Sequence, residues 1–469
     1  MMFDLDRYYN HTVAISDNGV SLQYGQLKEE VAKLNLFLTK HKLAFCLCDN
    51  RIGCLLGYVA FMNAQVPTVL LDGQKNAEVI QSLLDIYQPA CLWLSDDRLD
   101  IIKDYPVIYQ AYGFSLISYN RDAQEIHHDI ALLLTTSGST GSPKLVKLTC
   151  GNLLSNAQSI AEYLAITSEE RPITSLPMYY SYGLSVINSH LIKGATILMT
   201  DKAVIQKEFW NFAKTYRATS IAGVPYTYEM LRRLHFFRMD LPDLKTMTQA
   251  GGKLNAKIAE EYIRNAEETG RHFFVMYGQT EATARMSYLP QAYALEKCTS
   301  IGIAIPGGCF SLMDAKGQEI VEPGVDGELI YRGPNVSMGY AGSIADLLKG
   351  DENQGVLHTG DIARFDTEGF YYITGRMKRF VKIWGNRCNL DAAEQLVKAA
   401  ITLNCACVGV DDKLTVFVTE PGLEASIKAF LSQKMGLNVR GFDVRVIDAI
   451  PKSSSGKVLY SELQKMLEN

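Results

Sequence analysis

Apolar positions along the first two thirds of the chain alternate between a helical and a strand-like spacing. Residues 24–40 carry leucine or valine at four positions of one helical face, with charged side chains opposite, which predicts an amphipathic helix. Residues 54–73 read as a buried helix, a turn containing Pro67 and a buried strand, and similar alternation returns over residues 195–278. This alternation is typical of βαβ units around a largely parallel, buried sheet.

The pattern changes from about residue 299. Segments become short and are separated by DAKG- and DTEG-type turns, which predicts antiparallel hairpins over about 299–377. The last ninety or so residues return to a mixed α+β pattern, so we place a boundary near Lys378. The predicted fold class is α/β: a large N-terminal domain of parallel sheets with helices, a small β-barrel-like portion, and a small α+β C-terminal domain.

Composition and charge limit the classes of protein to which the chain can belong. The chain has 469 residues, 47% of them hydrophobic, and a formal net charge of −5, which fits a globular protein of two or three domains and argues against a nucleic-acid partner. We expect no membrane span, because Asn63 and Pro67 interrupt the most apolar window. No signal peptide is visible, and the ten cysteines form no C-x-x-C pair, so we expect buried reduced thiols and a cytoplasmic protein.

The stretch TTSGSTGSPK at residues 135–144 follows an apolar run and precedes LVKLT and a predicted helix at residues 152–164. A strand, a Gly/Ser/Thr loop and a helix form the layout in which backbone N–H groups and hydroxyls converge on phosphate, and Lys144 adds a suitable charge. The G-x-x-x-x-G-K-[ST] and G-x-G-x-x-G patterns are both absent. Composition alone leaves open a phosphate loop or an ordinary exposed loop.

MYGQTEA and AGGKL each follow an apolar strand, and ligands usually bind at the carboxyl ends of parallel strands. Thr280 has a hydroxyl that suits phosphate, and Glu281 has a carboxylate that suits Mg²⁺. Taken alone, the first motif is also consistent with a helix N-terminus and the second with a plain turn.

The stretch HTGDIARFDTEGFYYITGR contains Asp361 and Arg376, whose side chains suit sugar hydroxyls. The alternative is that this stretch forms two hairpin turns with charged residues at their tips. PKSSSGK presents Lys457 on a flexible loop near the C-terminus, where a solvated lysine is the plainer interpretation.

The order of these motifs, together with GELIYRGPNVSMGY and GRMKRFVKIWGNR, resembles the adenylate-forming superfamily. This superfamily contains acyl- and aryl-CoA synthetases, carrier-protein adenylation domains and luciferase. The resemblance runs almost end to end. It implies an AMP-binding core at residues 1–377, a hinge at Lys378 and a mobile lid at residues 379–469, with the active site between core and lid.

The resemblance also implies roles for individual residues. Lys457, Thr280 and Glu281 are the expected catalytic residues, with Glu281 as the metal ligand; Gly385 is expected at the thiol entry. The expected ATP contacts are Thr136, Ser137, Gly138, Ser139, Thr140, Gly141, Lys144, Gly251, Gly252, Tyr277, Gly278, Gln279, Thr280, Asp361, Arg376 and Lys457.

LPMYYSYGLS matches the segment that gates the acid in this superfamily, which implies that Tyr180, Ser181, Gly183 and Gly251 line the substrate pocket. Ser181 stands where amino-acid-activating relatives carry Asp, and a buried ammonium without a carboxylate is unfavourable. We therefore expect an acyl or aryl acid, rather than an α-amino acid, to be activated with ATP and Mg²⁺.

The acyl-AMP is then expected to pass to a thiol of CoA or to the phosphopantetheine of an acyl or peptidyl carrier protein. Two alternatives stay open: a stand-alone amino-acid-activating enzyme that loads a carrier protein, and a degenerate protein that binds nucleotide without chemistry.

Overall fold

A computed structural model describes residues 2–135, 144–377, 379–384, 386–401, 404–410, 412–453 and 456–468. Up to residue 135 the strands are β1 (Thr12–Ser16), β2 (Ser21–Gln23), β3 (Ala44–Cys48), β4 (Thr68–Asp72), β5 (Cys91–Ser95), β6 (Val107–Ala111), β7 (Phe114–Ser118) and β8 (Leu132–Thr135). The helices of this part are α1 (Tyr24–Asn35), α2 (Ile52–Ala64) and α3 (Ala77–Tyr87).

The middle of the chain carries the strands that surround the site. They are β9 (Leu145–Leu148), β10 (Pro172–Ile173), β11 (Ile197–Met199), β12 (Ser220–Gly223), β13 (Thr246–Gln249), β14 (His272–Tyr277), β15 (Ser287–Tyr288) and β16 (Ile303–Ala304). The helices between them are α4 (Cys150–Tyr163), α5 (Ser181–Leu191), α6 (Lys207–Thr215), α7 (Pro225–Arg233) and α8 (Ala256–Glu268).

Short strands dominate the next part, and an α+β unit ends the chain. The strands are β17 (Cys309–Met313), β18 (Glu319–Ile320), β19 (Gly327–Arg332), β20 (Tyr340–Ala341), β21 (Val356–Phe365), β22 (Tyr371–Arg376), β23 (Phe380–Ile383), β24 (Asn386–Asn389), β25 (Cys405–Val410), β26 (Lys413–Val418) and β27 (Phe442–Val446). The last helices are α9 (Leu390–Ile401), α10 (Glu424–Met435) and α11 (Tyr460–Glu468).

Two large sheets form the core. One has the order β20-β9-β8-β4-β3-β5-β7-β6 and the other β16-β15-β14-β13-β12-β10-β11-β1-β2. Helix α2 is apolar on nearly every face, which is typical of a buried helix, and it packs in the hydrophobic cluster that joins the two sheets. This arrangement confirms the predicted α/β class.

The prediction of largely parallel sheets is right for only one of the two. The second sheet is parallel from β1 through β11, β10, β12 and β13 to β14. The first sheet is parallel only among β5, β3, β4 and β8, and its outer strands are antiparallel. The β6–β7 pair is joined by a short hairpin, a connection that allows only antiparallel pairing.

One other local prediction needs correction, and the closure of the barrel-like portion stays a prediction. Helix α1 ends at Asn35, five residues before the predicted end, and Leu36 and Phe37 beyond it are exposed. The predicted barrel-like portion is a five-stranded antiparallel sheet with the order β18-β17-β19-β21-β22, and its two edge strands do not pair with each other in the described residues. The DAKG and DTEG turns close hairpins as predicted, through Asp314 N–H to Gln318 O and Asp366 N–H to Phe370 O.

Candidate active site

A buried carboxylate forms the centre of the first half of the site. Asp361 is 2% exposed and lies within β21, directly opposite Arg376 in the register with β22. The Arg376 Nε is 3.0 Å from Asp361 Oδ1, and Gln279 Nε2 donates to Asp361 Oδ2 at 2.9 Å. The alternative of two charged hairpin tips is therefore wrong, because β-pairing places the two residues side by side within strands.

Tyr277 completes this cluster from the end of β14. Its hydroxyl donates to Asp361 Oδ2, and Gln279 also donates to the Thr359 carbonyl. Burial, followed by the Asp361 charge, raises the pKa of Tyr277 well above its ordinary value, so the phenol stays protonated and keeps donating. The ring is held beside a carboxylate at the carboxyl end of a parallel strand.

A strained turn follows Tyr277 and carries Thr280 and Glu281. A Cβ at Gly278 would lie 1.6 Å from the Ala284 carbonyl oxygen, so only glycine allows this close approach. Thr283 has φ 62°, in the left-handed region that L-residues rarely adopt. Asn335, from the GPNVSMGY motif, holds the turn: its carbonyl accepts from Thr283 Oγ1 at 2.6 Å, and its amide donates to Ala282 O at 2.8 Å.

Among the described residues, the Glu281 carboxylate accepts one side-chain hydrogen bond. The Tyr340 hydroxyl donates to Glu281 Oε1 at 2.6 Å, and no Lys or Arg of the described residues lies within 4.0 Å of it. An anionic oxygen pair without a close basic partner suits a hard cation with oxygen ligands such as Mg²⁺. Sequence reasoning missed Tyr340, because the two residues are 59 positions apart.

The gate segment LPMYYSYGLS contacts two of the other motifs, AGGKL through Gly251 and MYGQTEA through Thr280. Ser181 Oγ is 3.0 Å from Thr280 Oγ1. Gly251 has φ 83°, and a Cβ there would lie 2.6 Å from the Tyr180 hydroxyl oxygen. Gly183 lies against the chain itself, since a Cβ there would be 2.3 Å from the Pro177 carbonyl oxygen. Its predicted position in the acid pocket stays a prediction.

The C-terminal loop brings Lys457 over this gate. Ser453 N–H donates to Lys457 O at 2.7 Å and Ser453 Oγ accepts from Lys457 N–H at 3.2 Å, which forms a tight turn. Lys457 Nζ lies 5.2 Å from the centre of the Tyr180 ring. Burial, followed by repulsion from Arg376, lowers the pKa of the Lys457 ammonium, whereas Glu281 raises it. The solvated-tail interpretation of this lysine is therefore wrong.

Several predicted residues lie outside the described part of the chain: Thr136, Ser137, Gly138, Ser139, Thr140, Gly141, Lys378 and Gly385. Lys144 is described and exposed at the start of β9. Thr135 and Leu145 are register partners of the antiparallel pair β8–β9, so a strand, and not a helix, follows this segment directly. The helix predicted at residues 152–164 follows this strand, as α4.

A second cluster that sequence reasoning missed surrounds Tyr460. The Arg379 guanidinium carbon is 3.4 Å from the centre of the Tyr460 ring, and the Tyr460 hydroxyl is 3.1 Å from both Glu394 oxygens. Arg379 also donates to Cys407 O at 2.9 Å. Its neighbour Met377 instead donates its N–H to Gly360 O at 2.8 Å. Met377 and Arg379 are thus bonded to different parts of the chain, Met377 to β21 and Arg379 to the C-terminal unit.

The fold and these clusters define an AMP-binding enzyme. The sequence profile of the family described as AMP-binding enzyme matches residues 4–341, and the chain belongs to this family. The adenylate-forming resemblance is thereby confirmed. Within the described residues, no helix is both long and apolar enough to cross a bilayer.

Individual relatives agree with this assignment. The chain is 29% identical over 352 residues to a feruloyl-CoA synthase of an Amycolatopsis species, covering 72% of this chain and 70% of the relative. It is 28% identical over 415 residues to a 2-succinylbenzoate–CoA ligase of Bacillus cereus, covering 85% and 83%. Among solved structures, the o-succinylbenzoate CoA synthetase of Bacillus subtilis with its acyl-adenylate has a TM-score of 0.78 at 21% identity, covering 97% and 95%.

Proposed function

We propose that this protein uses ATP to convert a carboxylic acid into an acyl-AMP and then transfers the acyl group to a thiol. One observation carries the proposal: Lys457 lies over Tyr180, beside the cluster of Asp361, Arg376 and Tyr277. The names of the relatives, acyl- and aryl-CoA ligases, support the same reaction class.

Different residues of the polar clusters contact different parts of ATP. Asp361 accepts the ribose hydroxyls, and Arg376 orients that carboxylate. The Tyr277 ring stacks on adenine, beside the glycines of AGGKL. Thr280 donates to the α-phosphate, and its 3.0 Å contact with Ser181 brings the acid pocket next to that phosphate.

In the first step, an oxygen of the acid attacks the α-phosphorus while the bond to pyrophosphate breaks. Negative charge gathers on the phosphate oxygens, and the Lys457 ammonium stabilises it where it develops. Glu281 would hold Mg²⁺, which supplies charge neutralisation when bound. The gate residues Tyr180 and Ser181 line the acid pocket. Neither side chain carries a carboxylate, so the α-amine of an amino acid would have no counterion there.

In the second step, a thiolate attacks the acyl carbon and AMP leaves. We propose that residues 379–469 rotate about Lys378 between the two steps. Two hydrogen bonds support this pivot, because Met377 bonds to β21 and Arg379 bonds to the C-terminal unit. The rotation would bring the segment around Gly385 to the thiol entry. CoA is the acceptor we favour, because the relatives are named as CoA ligases.

An acid-dependent exchange of radiolabelled pyrophosphate into ATP tests the first step. A panel of acyl, aryl and α-amino acids is compared, with a no-acid reaction as the blank. We expect exchange with at least one acyl or aryl acid. Exchange with α-amino acids alone would contradict the acid class, and ATP binding without exchange for any acid would indicate a protein that binds nucleotide without chemistry.

A further inference from the structure

The tyrosine that contacts Glu281 lies on a short strand at the edge of the first sheet. Tyr340 is opposite Val146 in the antiparallel pair of β20 and β9. Lys147 N–H donates to Gly339 O at 2.9 Å, one residue before the tyrosine. The backbone around Tyr340 is therefore paired with the strand that follows the TTSGSTGSPK motif.

A buried lysine fixes the chain on the other side of Tyr340. Lys147 is fully buried, and its Nζ lies 3.0 Å from Glu352 Oε2, so its charge is compensated. The same ammonium donates at 3.3–3.4 Å to three backbone carbonyls, those of Asp346, Lys349 and Gly350. Glu352 N–H in turn donates to Met338 O at 3.1 Å. Residues 338–352 thus form a loop that is closed at its base and held to β9.

Two hydrogen bonds hold Glu281 from residues 337–340. Ser337 N–H donates to the Glu281 backbone carbonyl at 2.8 Å, and the Tyr340 hydroxyl donates to Glu281 Oε1 at 2.6 Å. Burial, followed by the charge of Glu281, raises the pKa of Tyr340 above its ordinary value, so the phenol stays protonated near pH 7 and keeps donating. The backbone and the carboxylate of Glu281 are thus fixed by the same short segment.

The hydrogen bond from Tyr340 distinguishes the two oxygens of the Glu281 carboxylate. Oε1 accepts from the tyrosine, whereas Oε2 accepts no side-chain hydrogen bond in the described part of the chain. Mg²⁺ is usually bound through one or two carboxylates together with phosphate oxygens and water. Carboxylates that bind a metal are themselves hydrogen-bonded by outer partners, and loss of such a partner costs about 10- to 100-fold in metal affinity or activity. The Tyr340 hydroxyl has the position of such an outer partner.

We propose that Tyr340 is a positioning residue for the metal ligand of this protein: its hydroxyl holds Oε1 of Glu281 and leaves Oε2 for the Mg²⁺ that accompanies ATP. Without the hydroxyl, the carboxylate keeps its charge but loses its fixed orientation. Binding of the metal should then weaken, whereas the contact of Asp361 with the ribose should persist. This inference rests on the proposed function, specifically on the binding of ATP with Mg²⁺, and adds to it a residue that acts through Glu281.

The dependence of ATP binding on Mg²⁺ tests the proposal without any turnover. Calorimetric titration with no acid present gives the ATP dissociation constant in EDTA and in Mg²⁺, and the ratio of the two constants is the magnesium gain. Tyr340→Phe should lower this gain by about 10-fold and leave the constant in EDTA nearly unchanged. Glu281→Gln should abolish the gain, and Tyr340→Phe added to it should have no further effect, because the tyrosine acts through the carboxylate.

A second tyrosine provides the matched control. The Tyr372 hydroxyl also donates to a carboxylate, Asp366 Oδ2 at 2.9 Å, on the β21–β22 hairpin. Tyr372→Phe should therefore keep the wild-type magnesium gain. Tyr340 is 44% exposed, so removal of its hydroxyl should leave the protein folded, and thermal unfolding checks each variant.

The outcomes separate this inference from the proposed function. An unchanged gain in Tyr340→Phe, an equal weakening of ATP binding with and without Mg²⁺, or a wild type without any gain overturns the inference. Acid-dependent pyrophosphate exchange by the wild type would still support the proposed function in each of these cases. A gain that depends on Tyr340, in a wild type that shows no exchange with any acid, overturns the proposed reaction and leaves the role of Tyr340 standing.

Discussion

Replacing Gly251 by alanine tests the contact between the glycine motif and the gate. The new Cβ would lie 2.6 Å from the Tyr180 hydroxyl oxygen and 3.1 Å from Val224 Cγ1, whereas the next Tyr180 atom is 3.8 Å away. Gly251 also has φ 83°. The backbone alone costs about 1–2 kcal/mol for a residue with a Cβ in this region. The overlap with the hydroxyl adds a further cost of about 1–3 kcal/mol, the range for overpacking.

The two contributions separate in a double-mutant cycle with Tyr180→Phe, which removes only the overlapping oxygen. Unfolding in urea, followed by circular dichroism, gives the free energies. We expect Gly251→Ala to cost about 2–5 kcal/mol in the wild type, and about 1–3 kcal/mol less than this in the Tyr180→Phe background.

A matched control is available next door. Gly252→Ala places its Cβ 3.2 Å from a Pro225 side-chain carbon and involves no positive φ, so a smaller loss is expected. An equal cost of Gly251→Ala in both tyrosine backgrounds would refute the reasoning, because the hydroxyl would then play no part in excluding the side chain.

The remaining predictions concern ATP and pH. Asp361→Asn removes the charge that Arg376 and Gln279 hold, so calorimetric titration should give an ATP dissociation constant about 10- to 100-fold higher. Asp366→Asn, at the tip of the same hairpin, should leave it unchanged. Since burial lowers the pKa of Lys457, its charge is lost at a lower pH than for an ordinary lysine, and the rate of exchange should fall on the alkaline side below pH 10.5. Lys457→Arg should move this fall to higher pH in a rate–pH profile, because arginine keeps its charge; an unmoved profile would assign the titration to another group.

The predictions from sequence succeeded where information is local. A few neighbouring residues were enough to predict three features: the alternation of strands and helices, the buried helix before Pro67, and the DAKG and DTEG hairpins. The grouping of Asp361 with Arg376 came from motif order and now has a physical reason in the β21–β22 register.

What escaped prediction depends on long-range contact. Tyr340 reaches Glu281 across 59 positions, and Tyr460 reaches Glu394 across 66. The role of Tyr460 could not be predicted from its own neighbours, because the Arg379 side chain that stacks on it lies far away in the sequence. Arg285 lies four residues after Glu281, yet only the packing of α4 and α5 around it reveals that it is buried.

The acid-dependent pyrophosphate exchange of the wild type, Lys457→Ala and Lys452→Ala tests the central claim most directly. Lys452 is the matched control, since it lies on the same C-terminal segment with its Nζ 4.4 Å from the Tyr226 ring centre. We expect Lys457→Ala to lower the exchange rate by about 100- to 1000-fold while ATP binding persists, and Lys452→Ala to stay close to the wild type. Near-wild-type exchange by Lys457→Ala, or equal losses in both variants, would contradict it.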